Sequence, residues 1–332
     1  MKILVIGAGF SGAVIARELA ENNHQVVIID KRDHLAGNAY DYVNEYGIRV
    51  HKYGPHIFHT SNNEVVSWLS KFTEWVPYKH KVKAMLSTGQ LVTLPVNSET
   101  TQIVGRENII DTFIRPYTKK MWGLDIEDLD PSILTRVPVR DDLNEFYFPN
   151  DSFQALPKNG YEAIFIEMLR HKNIRISLKT EHNAKLEESF DFIFNSMPID
   201  EYFQYEHGQL PYRSIKFNTV TLPLPKVFSV PVINFTHSDP ETRVTEWKNF
   251  PGHGVNVAKT TLTYEVPCDF KDNNFERYYP VKDLMGANRS LYALYEKKVP
   301  RNMKFTGRCG LYAYLDMHQA INASLSLVKK FI

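Results

Sequence analysis

The chain opens on a β-branched run, Lys2 to Ile6, that passes into a glycine turn, Gly7 to Gly12, and then into Ala13 to Glu21, whose composition is helical. Gln25 to Asp30 is a second buried apolar run. Strand, helix and strand therefore follow one another within about 30 residues, the length that a β-α-β unit needs. Tyr46 to Thr60 breaks the periodicity with His, Tyr and Gly and predicts irregular structure near a site. Glu64 to Phe72 has the spacing of an amphipathic helix with Trp68 and Leu69 inward, and Val82 to Leu94 alternates about Ser87-Thr88-Gly89-Gln90 as a hairpin does. Glu107 to Trp122 predicts a helix that Pro116 breaks near Arg115. Further on come a turn at Asn159-Gly160 with a helix over Tyr161 to Leu169, and a buried strand over Phe190 to Asn195. The stretch from Lys304 to Ile332 reads as a strand, a Gly-Arg turn and a helix from about Asp316.

With 332 residues, 43% of them apolar, the chain can bury a large core in one to three domains. No repeat, low-complexity tract or linker separates such domains, so they are expected to be interleaved. The 39 basic and 38 acidic side chains nearly cancel, which removes any sequence-independent attraction to nucleic acid or anionic lipid. Any anion must be held by local groups. Cys268 and Cys309 lack neighbours at metal-ligand spacing, so neither a disulfide nor a metal site is expected. No apolar run approaches the roughly 20 residues that span a bilayer, and the expectation is a cytoplasmic protein without membrane attachment.

Gly7-Ala8-Gly9-Phe10-Ser11-Gly12 is a G-x-G-x-x-G placed directly after a strand and before a helix, with Asp30 at the end of the next strand. One glycine makes the tight turn, one lets the backbone approach a pyrophosphate, and one allows close helix packing, while the helix N-terminus offers amide donors to phosphate. Asp30 is expected to accept ribose hydroxyls, which disfavours a 2'-phosphate. FAD is not separated from NAD by this motif alone. The extension Asp30-Lys31-Arg32-Asp33-His34-Leu35-Ala36-Gly37-Asn38 resembles the acid-then-Gly-Gly element of FAD-dependent oxidoreductases, with Ala36 where that pattern has its first glycine. Gly307-Arg308, followed by a helix starting near Asp316, resembles the return of the chain to the FAD at the end of two-dinucleotide-fold flavoproteins, which implies a helix N-terminus near the flavin.

Five ordered segments carry a closer resemblance. His51-Lys52-Tyr53-Gly54-Pro55-His56-Ile57-Phe58-His59-Thr60, Arg136-Val137-Pro138-Val139-Arg140, Pro157-Lys158-Asn159-Gly160-Tyr161, Tyr278-Tyr279-Pro280-Val281 and Asp316-Met317-His318-Gln319 look like the signature segments of bacterial UDP-galactopyranose mutases, in the same order and over nearly the whole chain. The resemblance implies an α/β fold, in which a Rossmann-type FAD-binding domain joins an antiparallel-sheet domain and a small, shortened helical domain. The expected division assigns 1–75, 185–215 and 300–332 to the FAD domain, 76–95, 137–184 and 216–299 to the sheet domain, and 96–136 to the helices. The resemblance also implies a non-redox isomerase that interconverts UDP-galactopyranose and UDP-galactofuranose through an adduct of the sugar with N5 of reduced FAD, with an external electron donor to reduce the flavin.

By the same resemblance, Gly7, Gly9, Ser11, Gly12, Asp30, Lys31, Gly37, Asn38, His56, Ile57, Arg308, Met317, His318 and Gln319 would hold the cofactor. Arg140 matches a loop arginine that swings onto the diphosphate, Arg243 matches a second, fixed arginine, and His56 lies against the flavin. A guanidinium suits diphosphate because its fork pairs two oxygens at once. Tyr279 and Tyr314 match tyrosines that donate hydroxyls to the phosphates. Trp122 matches a cleft tryptophan, and Thr118, Tyr147 and Asn234 match further substrate contacts. Phe153 stands at the position of a tyrosine that stacks on uracil, His80 replaces an asparagine near the phosphates, and Leu315 replaces a tyrosine. These departures keep other nucleotide sugars open, UDP-N-acetylgalactosamine or a dTDP-deoxyhexose. Between Asn97 and Ile103 the chain is about thirty residues shorter than usual, in the part that commonly forms a dimer interface, so the oligomeric state is open. Two competing functions share the flavin fold. An amine-oxidase-like oxidoreductase would call for an apolar cage, and a non-catalytic sensor would lack Arg140 or Arg243.

Overall fold

The computed structural model describes residues 1–128, 138–255 and 258–332. A five-stranded parallel sheet runs in the order Ile174–Ser177, Gln25–Ile29, Lys2–Ile6, Phe192–Asn195, Met303–Phe305. The predicted β-α-β unit lies at its centre, joined by the helix Phe10–Glu21. Both faces of this sheet are covered, as an apolar run without alternation requires. On one face Ala13, Ile15, Ala16, Leu19 and the helices Tyr161–Leu169 and Met317–Phe331 make a single core with Ile3, Val5 and Phe194. On the other, Leu4, Ile6, Ile193, Tyr292, Tyr295 and Tyr312 make a second one.

Residues 161–177 correct the expected division. They were assigned with the antiparallel domain, but Ile174–Ser177 pairs in parallel with Gln25–Ile29 and the helix before it buries Tyr161, Ile164, Phe165 and Met168. At the sheet edge only Ile174 is partly buried and Ile176 is exposed, so the strand lacks the continuous apolar run that marks a buried parallel strand in the sequence.

The seven-stranded second sheet runs Tyr279–Pro280, Tyr212–Leu222, Thr260–Asp269, Arg243–Glu246, Val232–Phe235, Val82–Met85, Leu91–Leu94. All its pairings are antiparallel except Val232–Phe235 with Val82–Met85. Val82–Met85 and Leu91–Leu94 form the predicted hairpin. A three-stranded sheet, Phe58–Thr60, Phe153–Pro157 and Trp75–Pro77, links the two larger ones, so Tyr46 to Thr60 contains short strands where irregular structure was expected.

The segment with Pro116 behaves as its chemistry dictates. A wide turn over Ile110–Ile114 precedes the helix Arg115–Trp122, because proline has no N–H to continue the ladder and sits comfortably at a helix start. Gly123, left-handed at φ 71°, ends that helix. Among the described residues no helix is long and apolar enough to cross a membrane.

Candidate functional site

One cavity of about 880 Å³ runs between the two large sheets, from Asp30 and Lys31 past Gly7, Gly9 and Gly37 to His56, Asn234, Arg243 and Tyr279. Its first half is a backbone cradle. Gly12 is pressed so closely on the turn that a Cβ there would lie 2.0 Å from the Gly7 carbonyl oxygen, and a Cβ on Gly37 would lie 3.0 Å from the Cα of Gly9. Gly37 is left-handed at φ 54°, and Ala36 before it at φ 71°, so the departure from Gly-Gly is absorbed by an alanine in a strained conformation. Asp30 holds the turn by accepting from the Ala8 N–H at 2.8 Å and the Arg32 N–H at 2.9 Å. Ser11, Asn38, Ile57, Met317 and His318 also line the cavity.

The cradle fits FAD. Gly37, crowded against Gly9, and Gly12, crowded against Gly7, keep its floor free of side chains, an acid closes the far end, and the N-terminus of the helix Phe10–Glu21 points in. The cavity also continues well beyond the pyrophosphate turn, as an isoalloxazine and a second ligand require.

The second half is set by strand register. Asn234 pairs with Arg243 and Arg243 with Glu265, so three polar side chains form one row across neighbouring strands. Arg243 and Asn234 line the cavity. Glu265, which sequence reasoning missed, lies beneath them at 1% exposure with Oε2 2.7 Å from Arg243 Nε. The contact is an ion pair and not a well-aligned hydrogen bond, since Arg243 Nε, Glu265 Oε1 and Asn234 Oδ1 are buried without hydrogen-bond partners. Burial opposes the charge on Arg243, but the Glu265 carboxylate outweighs it and holds the guanidinium firmly protonated. Burial also raises the Glu265 carboxyl, with Arg243 acting the other way. What remains is a fixed cation on the cavity wall whose terminal nitrogens meet no hydrogen-bond acceptor among the described residues. The signal for Glu265 was available only through register: Glu265 and Arg243 are far apart in sequence and adjacent in the sheet.

Tyr279 and Tyr314 stack at 5.6 Å with an interplanar angle of 16°, and the Arg308 guanidinium lies over both rings. Arg308 is pinned by the carbonyls of Tyr278 and Leu315 at 3.2 and 2.7 Å. Trp122 meets Tyr279 edge-on at 6.2 Å. Trp122 and Thr118 belong to a helical stripe that also turns Ile114, Phe113 and Tyr117 to the cavity, with steps of four residues from 113 to 117 and from 114 through 118 to 122. Tyr117 was missed, although the same periodicity that places Trp122 and Thr118 points to it. Tyr147 and His80 complete the wall, with the Tyr147 N–H donating to the His80 carbonyl at 2.8 Å. Burial first, and then Arg243 and His59, push the His80 ring down to about 3, so it is neutral.

Three expected site residues stand elsewhere. Phe153, expected to stack a nucleobase, is packed edge-on against Phe58 and Trp75 because its strand turns that face to the core. Gln319 closes a capping box with Asp316, its side-chain oxygen accepting the Asp316 N–H at 2.9 Å, and so serves the helix end. Arg140 donates to the carbonyls of Phe146 at 3.0 Å and Asn144 at 2.6 Å, and does not reach the cavity. Arg136, in the same signature segment, lies outside the described residues. Arg213 donates to the carbonyls of Met121 and Lys120, which satisfies the C-terminus of the Trp122 helix.

A Rossmann sheet with a glycine cradle, and an antiparallel sheet that carries a fixed arginine and paired tyrosines to the same cavity, define a flavoprotein that handles a second, anionic ligand. The chain belongs to the UDP-galactopyranose mutase family. Residues 112–314 match the family described as UDP-galactopyranose mutase, and residues 5–72 match the NAD(P)-binding Rossmann-like domain. The chain is 34% identical to the probable UDP-galactopyranose mutase of Klebsiella pneumoniae, over 99% of this chain and 94% of that protein. It is 35% identical to the dTDP-fucopyranose mutase of Escherichia coli, over 100% of this chain and 98% of that one. The fold is also that of a crystal structure of reduced UDP-galactopyranose mutase, with a TM-score of 0.73 at 17% identity, covering 98% of this chain and 96% of that one.

Proposed function

We propose that this chain is a flavin-dependent isomerase that interconverts UDP-galactopyranose and UDP-galactofuranose with no net redox change. The observation that carries the proposal is the Asn234–Arg243–Glu265 row facing the same cavity as the FAD cradle. Reduced FAD, when bound, supplies the nucleophile that the side chains of the site lack. Arg243 then neutralises the departing diphosphate, and its fixed, desolvated position makes that stabilisation stronger than a solvated cation would give. Tyr279 and Tyr314, held in a stack under Arg308, direct hydroxyls towards the same oxygens. Trp122, Tyr117, Thr118, Tyr147 and the neutral His80 shape the sugar and nucleotide side of the cavity, and Asn234 lines it beside Arg243. Gly7, Gly9, Ser11, Gly12, Asp30, Lys31, Gly37, Asn38, Ile57, Met317 and His318 hold the cofactor. An external donor reduces it, and the reaction takes place in the cytoplasm.

A second nucleotide sugar is favoured by one finding, the equal identity to a dTDP-fucopyranose mutase. The test is to reduce the purified yellow protein with dithionite and incubate it separately with UDP-galactopyranose and dTDP-fucopyranose. Furanose from the first supports the proposal, furanose from the second alone moves the substrate to a dTDP-deoxyhexose, and oxygen uptake with oxidation of either sugar overturns both.

A further inference from the structure

Behind the cavity wall His51 and His253 are joined in an order that permits one arrangement of their protons, and His56 adjoins them through its backbone. The His56 peptide N–H donates to His51 Nδ1 at 3.0 Å, so that nitrogen carries a lone pair. The neutral His51 ring must therefore bear its proton on Nε2, which lies 3.0 Å from His253 Nε2 and donates to it. His253 in turn carries its proton on Nδ1, 3.1 Å from the Pro251 carbonyl that accepts it. At the other end, His56 Nδ1 is 2.7 Å from the Gly54 carbonyl and must donate, and in the neutral ring that burial, Arg308 and Arg243 favour, Nε2 is then an acceptor. From the His56 N–H through His51 and His253 to Pro251 each bond requires the next, and none requires a charged ring.

The surroundings support this order. His51 and His253 are 1% and 3% exposed, enclosed by Trp247, Phe250 and, for His51, Tyr161. The Tyr161 hydroxyl donates to the His56 carbonyl at 3.1 Å, so the peptide groups before and after His56 are both held. Gly54, left-handed at φ 87°, makes the tight turn that brings the Gly54 carbonyl beneath the His56 ring. Arg49, Arg243 and Arg308 all disfavour a proton on one or another of these rings, in addition to burial.

We propose that His51 is a positioning residue which, backed by His253, fixes the His56 peptide and its tautomer, so that His56 presents an unprotonated Nε2 to the cavity. A ring in that state accepts from an N–H or O–H donor and offers nothing to an anion. It therefore assigns the His56 wall to a donor group of the reduced flavin or the sugar, and leaves the diphosphate to Arg243 and the tyrosine pair. The inference rests on the flavin-site proposal above, and its test is separable from turnover. In the apoprotein labelled with ¹⁵N-histidine, NMR at pH 7.5 is expected to show Nε2–H on His51 and Nδ1–H on His253 and His56, with resonances identified by single-site variants. A proton on His51 Nδ1, or a cationic ring at any of the three positions, overturns the proposal whether or not the protein is a mutase.

In the FAD-bound protein, His51→Asn retains an acceptor near the Nδ1 position, whereas His51→Phe leaves the His56 N–H without one. The asparagine variant is expected to keep the flavin midpoint potential and a kcat within about 3-fold, and the phenylalanine variant to shift the flavin spectrum and lose about 10-fold to 100-fold in kcat at unchanged KM, the size of one buried bond left unmade. Equal flavin spectra and potentials in the two variants overturn it. Should His51→Phe not fold, the ¹⁵N measurement on the unsubstituted protein decides alone.

Discussion

Lowering the pH from 7 to 5.5 should destabilise the apoprotein by an amount large enough to approach its whole stability. His51, His80 and His253 are buried and His56 is partly buried on the cavity wall, and all four are neutral, with His56 and His253 pushed down to about 4, His80 to about 3 and His51 well below its ordinary value, in each case chiefly by burial. A histidine whose folded pKa is depressed binds fewer protons folded than unfolded, so stability is present above the unfolded value near 6.5 and is lost as pH falls below it. Between pH 7 and 5.5 each such ring forfeits about 1.2 kcal/mol, and the four together about 5 kcal/mol, against a total of roughly 5–15 kcal/mol for a typical domain. His24, His34 and His318 are shifted in the same direction and add to the loss. Urea unfolding of the apoprotein followed by fluorescence at several pH values within this window, above the range where exposed carboxylates titrate, reads the change, with the raised carboxyls of Glu265, Asp200 and Glu162 acting in the opposite direction. A loss of about 1 kcal/mol or less would refute the protonation states on which the cavity wall has been built. Saturating FAD should raise stability at every pH by mass action, without abolishing the slope.

Other substitutions separate the parts of the site. Gly37→Val places a branched side chain where even a Cβ crowds Gly9, in a left-handed conformation, and is expected to abolish FAD retention through gel filtration while the far-UV circular dichroism stays native. Arg243→Met removes the counter-charge of a buried carboxylate. Glu265 then titrates still higher, so the variant should be more stable at pH 5.5 relative to pH 8 than the parent is, and thermal melts that show the same pH trend in both would count against the pair. Arg140→Ala removes two charge-assisted bonds to carbonyls and should lower the melting temperature, with kcat reduced less than about 10-fold; a loss above about 100-fold would place Arg140 at the reacting diphosphate after all.

The parallel sheet core was legible because a G-x-G-x-x-G between a strand and a helix has few other uses, and Gly12 in fact admits no side chain. The break at Pro116 and the start of the last helix at Asp316 were equally local, and each follows from a missing N–H or a capping side chain. What escaped was decided between distant segments. Glu265 is an ordinary glutamate in sequence and becomes a buried partner only through register with Arg243. Phe153 lies in the right segment for an aromatic platform, yet a strand's two-residue period sends its ring to the core. Arg140 sits in a recognisable motif, but its partners are carbonyls four and six residues on, a turn that no side-chain pattern announces.

The most direct test of the flavin-dependent isomerisation is a paired assay on the same preparation, once with FAD oxidised and once reduced by dithionite under argon, in which UDP-galactofuranose and dTDP-fucofuranose are each followed to their pyranose by chromatography. The account predicts conversion of one of them to an equilibrium mixture only in the reduced sample, with the flavin still reduced at the end. Equal conversion by oxidised enzyme, or consumption of the reduced flavin in step with product, would contradict it.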